Sequence, residues 1–222
     1  MNEEHNDLME LTTQVFHAIE GAQSKIDLIE RVGALGLSCR SRSEDQSYPS
    51  IPFQLKPNEI DIISSDSNVE QLIKLGHKKE ATGLEKLLLA MAWKQNDLKK
   101  LGGIVRGIQS VKDDPKGQLL PEKSMVFYFF GRHLVDPINN PIIDQHVIRA
   151  FAIKTTTGAA QLKWMSRSNI TGTKNDKEMV GDYLKWYSEL VRKKGLKNTQ
   201  ENNDFLAEID FVLMQLGREI KR

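Results

Sequence analysis

Apolar residues recur at helical spacing through most of the chain. In "LMELTTQVFHAIEGAQSKIDLIERVGALGL", Leu8, Leu11, Val15, Phe16 and Ile19 share one face, and Ile26, Ile29 and Val32 follow after a break near Gly21. The spacing predicts two amphipathic helices. From Cys39 to Asn68 the period fails, with three prolines and many serines. This stretch reads as a long connection, with a short extended piece expected at "EIDII".

Helical patterning resumes in "VEQLIKLGHKKEATGLEKLLLAMAWKQ", whose apolar face runs through Leu84, Leu87, Leu88, Met91 and Ala92. Asn96 or Asp97 suits the cap of the next helix, "LKKLGGIVRGIQSVK", in which Gly102 and Gly103 mark a kink or close packing. After the turn "DDPKGQLLP" comes "EKSMVFYFFGRHL", apolar on nearly every side and so expected to be a central helix. Asp136, Pro137, Asn139, Asn140 and Pro141 form a loop before "IIDQHVIRAFAIK", and a second loop spans Ser168 to Thr173. Two more helices follow, "KEMVGDYLKWYSELVRKK" and "DFLAEIDFVLMQLGREIK". With almost no period-two alternation, the fold class is mainly α. The expected organisation is amino-terminal helices over 1–38, an irregular connection over 39–68, and a helical core over 69–222 with its last helices packing back.

Composition narrows the function classes only a little. Charged residues make up 27% of the 222 and the formal charge is +1, so no overall bias selects nucleic acid or membrane, and any basic surface is local. The single cysteine, Cys39, has no partner for an internal disulfide or a cysteine-rich metal site, and the natural setting is a reducing cytoplasm. No apolar run approaches the roughly 20 residues needed to span a bilayer, and the acidic start "MNEEHNDLMELTT" is unlike a signal peptide. His133 and His146 have no matched third ligand at helical spacing, so no metal and no cofactor is expected.

Candidate chemistry centres on "NPIIDQHVIRAF", which sets Asp144 and His146 within an apolar helical pattern. Aspartate is favoured at helix starts as a cap and by the helix dipole. Lys123 opens the preceding apolar helix, and the segment from Arg132 to Asn140 is long enough to return the chain along that helix. Lys123 and Asp144 are then expected at the same end of the pair.

This arrangement resembles the helix-hairpin-helix DNA glycosylases, the superfamily containing endonuclease III and 8-oxoguanine glycosylase. Leu120, Pro121 and Lys123 match the family's hairpin and lysine, while Pro141, Asp144, His146 and Val147 match its "proline, two apolar residues, Asp, any, His, apolar" run. The likeness covers about Ile104 to Phe151. It departs from the family between proline and lysine, where the usual glycines, which let backbone amides approach a phosphate, are replaced by Glu122 alone; Gly117 lies earlier.

The resemblance implies a helix-hairpin-helix glycosylase-like fold acting on double-stranded DNA. It implies Lys123 as the amine that attacks the sugar and Asp144 as the carboxylate that stabilises the sugar cation. The flipped base would meet His146, Phe127, Tyr128 and Trp164, with His146 in packing or a hydrogen bond. Lys99, Lys100, Arg106, Lys116 and Gly117 are the candidate DNA contacts. The alternative is a catalytically inactive helical module on the same scaffold, binding DNA or protein. A nuclease is disfavoured, since no acidic metal-binding cluster lies near the candidate site.

Overall fold

The computed structural model describes residues 3–37, 54–65, 98–115, 120–121 and 124–221. Nine helices lie among them: α1 (Glu3–Gly21), α2 (Lys25–Ala34), α3 (Pro57–Ser65), α4 (Leu98–Asp113), α5 (Met125–Val135), α6 (Gln145–Thr155), α7 (Gly158–Met165), α8 (Lys174–Lys194) and α9 (Gln200–Glu219). No strand occurs among the described residues, and the mainly α class stands. The expected helix over "VEQLIKLGHKKEATGLEKLLLAMAWKQ", the Asn96 or Asp97 cap and Cys39 lie outside the described residues.

Local chemistry sets the helix boundaries. Ser24 caps α2 by accepting from the Asp27 amide at 3.2 Å, and Asp27 answers by accepting from the Gln23 amide at 2.8 Å. Thr173 and Asp176 form a reciprocal capping box at the start of α8, and Gly195, at φ 63°, ends that helix in the left-handed conformation that glycine adopts without a Cβ clash.

The segment "EIDII", expected to be extended, is instead part of α3. Pro57 supplies a φ already suited to the first helical position. Two residues later, Glu59 reaches back to the Lys56 amide at 2.7 Å, satisfying a donor that would otherwise be orphaned.

The most buried helix is α6, in which every residue from Val147 to Ile153 is buried. It packs against α1, α7, α8 and α9. Phe151 makes ring contacts with Phe16 of α1 at 6.2 Å and Tyr183 of α8 at 5.4 Å, each aromatic pair adding about 0.5–1.5 kcal/mol beyond burial. The helix expected to be central, α5, is amphipathic by comparison: Met125, Tyr128, Phe129 and Gly131 are buried, while Val126, Phe127 and Phe130 are half-buried.

Helices α4 and α5 meet backbone to backbone through two glycines. A β-carbon on Gly107 would stand 1.9 Å from the Tyr128 carbonyl oxygen, and one on Gly131 would stand 2.0 Å from that of Ile104. Gly103 adds a third close approach, to Phe127 and Ser124. Close packing, rather than a kink, accounts for its place in the sequence.

Candidate functional site

The loop between α5 and α6 is held at several points along its length. Arg132, fully buried on α5, donates from Nε to Asn140 Oδ1 at 2.8 Å and from Nη1 to Ser110 Oγ at 2.9 Å. Its Nη2 donates to the carbonyls of Asp114 and Pro115 at 2.5 and 3.1 Å, so one side chain ties the end of α4 to the loop. Asn140 returns a bond from its side-chain amide to the Asp136 carbonyl at 3.0 Å, and the His133 Nδ1 lies 2.9 Å from the Asn140 carbonyl, placing the ring proton on that nitrogen.

Further along, Asp210 of α9 reaches into the loop. Its Oδ2 accepts from the Ile142 amide at 3.3 Å and its Oδ1 from the Tyr183 hydroxyl at 3.3 Å. Burial, then the adjacent Asp210 charge, pushes the Tyr183 phenol well above its ordinary pKa, so it stays a neutral donor. Tyr187 donates to the Pro137 carbonyl at 3.2 Å. From Asn140 the four residues to Asp144 can span at most ~14 Å, against a helix length of about 16 Å for the 11 residues of α5. That reach is shorter than α5, and Arg132 to Val135, expected to help return the chain, are instead the last turn of α5 itself.

Asp144 is the N-cap of α6, with φ −126° and ψ 157°. Its Oδ1 accepts from the His146 amide at 2.6 Å, and its carbonyl accepts the first helical bond, from Ile148. The residue is half-buried, and its second carboxylate oxygen accepts no hydrogen bond among the described residues.

Beneath this cap lies a buried arginine. Arg149 approaches His146 Nδ1 from Nη1 at 2.9 Å, donates from Nη1 to the Gly217 carbonyl at 2.8 Å, and donates from Nη2 to the Arg167 carbonyl. Burial lowers the Arg149 pKa, and the charge of Asp144 opposes that. Burial also lowers the His146 pKa, with Arg149 and Arg218 acting in the same direction and Asp144 and the Gly217 carbonyl against it. The loop after α7 is fixed in turn by Arg167, whose guanidinium pairs with Asp176 at 2.5 Å and lies 4.6 Å from the Trp164 ring centroid.

Other candidates are distributed unevenly. Lys123, Lys116 and Gly117 lie outside the described residues, as does the side chain of Lys99 on α4. Lys100 and Arg106 are exposed on α4, with Lys100 Nζ 5.4 Å from the Phe127 ring centroid. Phe127 is half-buried, whereas Tyr128 and Trp164 are each 8% exposed and belong to the hydrophobic core. The geometry therefore joins Asp144 to His146 and Lys100 to Phe127. Ser124, immediately after Lys123, has φ 58°, a left-handed conformation found at no other non-glycine residue among those described. Such strain is concentrated at functional positions.

Arg149, Arg132 and Gly217 did not stand out in the sequence as parts of this region. The available signal for Arg149 was its place inside "HVIRAFAI", where apolar neighbours on every side put a cation in the interior. Among the described residues no group of three or more His, Cys, Asp or Glu side chains could hold a metal ion, and no helix is long and apolar enough to cross a membrane. Comparison with protein-family models, curated protein sequences and solved structures finds no match to this chain.

Proposed function

We propose that the chain is a DNA glycosylase with lyase activity, using Lys123 as nucleophile and Asp144 as the electrostatic partner of the sugar. The observation that carries this reading is the state of Asp144: one oxygen is anchored on the His146 amide and the other accepts no hydrogen bond among the described residues, at the mouth of a helix. A carboxylate held this way can face a sugar cation without reorganising, which is what electrostatic stabilisation of a transition state requires. The left-handed Ser124 next to Lys123, the backbone-close α4–α5 pair and the exposed cations of α4 support the same reading.

In this mechanism the target nucleotide leaves the base stack. The neutral Lys123 amine attacks C1′ of the sugar as the bond from C1′ to the base breaks, and the base departs with the bonding electron pair and takes up a proton. Asp144 stabilises the positive charge shared by C1′ and the ring oxygen during that exchange. The lysine nitrogen loses a proton, the sugar ring opens, and a protonated Schiff base results. Loss of a C2′ proton then expels the 3′ phosphate oxygen and nicks the strand, and water releases the lysine. The chemistry needs no cofactor; it needs Lys123 to be neutral, a condition met by desolvation or by neighbouring positive charge.

A second reading has its own observation. The bond from the His146 amide makes Asp144 a complete helix cap, and capping alone explains an aspartate here. The protein is then a catalytically inactive helical module that binds DNA or protein. Trapping with borohydride on duplex DNA carrying an abasic site separates the two: the enzyme gives a permanent crosslink that Lys123→Ala loses, and the inactive module gives none.

A further inference from the structure

The bonding of Arg149 is unusual for a buried cation. The residue is 1% exposed, and its hydrogen-bond acceptors are two backbone carbonyls and an imidazole nitrogen, none of them a carboxylate. Its Nε is buried and has no partner among the described residues. A guanidinium taken out of water is costly unless its acceptors are well placed, so this one holds three segments in register: the first turn of α6, the last turn of α9 and the loop after α7.

Of those acceptors, two are permanent and one is not. A backbone carbonyl cannot stop accepting, but the His146 Nδ1 becomes a donor when the ring is protonated, and two N–H-bearing cations then meet at a 2.9 Å contact. The groups that face the ring are Asp144, Gln145 and Arg149 from the start of α6, and Arg218 and the Gly217 carbonyl from α9. Burial opposes a positive charge on the ring most strongly and Arg149 and Arg218 add to it, while Asp144 and the Gly217 carbonyl act the other way. The same histidine supplies the amide that holds Asp144, and its carbonyl is pressed against Gly217, where a β-carbon would stand 2.0 Å away. Side chain and backbone of His146 are thus seated together on α9.

We propose that Arg149 is a positioning residue for Asp144, acting through His146: it seats the unprotonated ring as an acceptor, and protonation of that ring unseats the turn that aims the carboxylate. The inference rests on the glycosylase reading and adds to it an acid-sensitive control of the same site. Burial lowers the His146 pKa and so favours the unprotonated ring that the seat requires. A carboxylate displaced by about 1 Å loses up to about a hundredfold in rate, without any loss of DNA contacts elsewhere.

The test has two arms on the full chain. In the first, histidine side-chain NMR follows the His146 titration, assigned with His146→Gln. The wild-type midpoint is expected below the ordinary histidine value, rising in Arg149→Met and staying low in Arg149→Lys, which keeps the charge. A midpoint that does not move in Arg149→Met overturns the proposal.

In the second arm, cyanoborohydride trapping on duplex DNA with an abasic site is measured at saturating DNA across acid pH. Wild type is expected to lose trapping rate as His146 protonates, with its half-saturating DNA concentration unchanged. His146→Asn, whose amide oxygen takes the place of Nδ1 as acceptor but does not titrate, is expected to lose that acid limb, and identical acid limbs in the two proteins overturn the proposal. Absence of any crosslink in wild type at every pH defeats the lyase reading, and the proposal with it. A wild-type crosslink with an acid limb indifferent to His146 defeats the proposal alone.

Discussion

Gly217 and His146 touch backbone to backbone: a β-carbon on Gly217 would lie 2.0 Å from the His146 carbonyl oxygen and 2.5 Å from its carbon. The obstructing atoms are main chain on both sides, so neither can turn away. Gly217→Ala is expected to force α6 from α9 and to cost about 1–3 kcal/mol or more of stability, the scale of overpacking. Gly181, in α8, has nothing within 4 Å of the same hypothetical carbon. Gly181→Ala is therefore expected to stabilise by about 0.5–1 kcal/mol, because alanine suits a helix interior better than glycine. Denaturant unfolding of the two variants checks the contrast.

Capping and chemistry at Asp144 are separable by choice of substituent. Asparagine caps a helix about as well as aspartate, whereas alanine costs about 1 kcal/mol. Asp144→Asn is expected to unfold close to wild type while bond cleavage slows and DNA affinity stays the same or rises. Asp144→Ala should lose both stability and cleavage. Full cleavage activity in Asp144→Asn would assign the residue to capping alone.

The helical class, the break at Gly21, the α8 and α9 segments and the capping position of Asp144 were all legible from the spacing of apolar and polar residues, since each depends on interactions within a few residues of chain. The "EIDII" segment shows where that failed: a bond from the Lys56 amide to Glu59 decided for helix where a nearby proline and serines suggested an irregular chain. Gly158, at φ 58°, opens a separate helix, α7, that apolar spacing alone did not divide from α6. The buried cations Arg132 and Arg149 were harder still to read, because their acceptors lie up to 68 residues away and a charge in a helix ordinarily faces water. Gly107, Gly131 and Gly217 carried a signal, lying within helices where glycine is otherwise unfavourable, but not the identity of the carbonyl each one meets.

Asp176 gives a pH prediction of opposite origin to that of His146. Burial would raise its pKa, but the Thr171 amide at 2.9 Å, the Arg167 guanidinium and the Thr173 and Thr171 side chains outweigh burial and hold it below 3.8. The folded state therefore favours the ionised form, a contribution fully present above the unfolded value and lost as pH falls through the folded one. For His146 the folded value lies below 6.5, so the unfolded chain binds the proton first and stability falls as pH drops below that point. Thermal unfolding against pH is expected to show both declines, with His146→Gln removing the upper one and Asp176→Asn the lower.

Removing the Asp176 carboxylate altogether strands Arg167, which is 19% exposed at the ion pair, and opens the cap of α8. Asp176→Ala is expected to cost about 3 kcal/mol, the scale for breaking a buried pair from one side. A loss below about 1 kcal/mol by chemical denaturation would mean that the loop after α7 does not depend on this pair.

One particular amine, that of Lys123, is proposed to react with the sugar, and the identity of the trapped residue is the decisive measurement. The protein is crosslinked to abasic-site DNA with borohydride, the DNA and protein are digested, and the peptide bearing the reduced sugar is sequenced by mass spectrometry. The adduct is expected on Lys123, immediately before Ser124 and α5. An adduct on Lys99, Lys100 or any other residue, or no adduct at all, would contradict it.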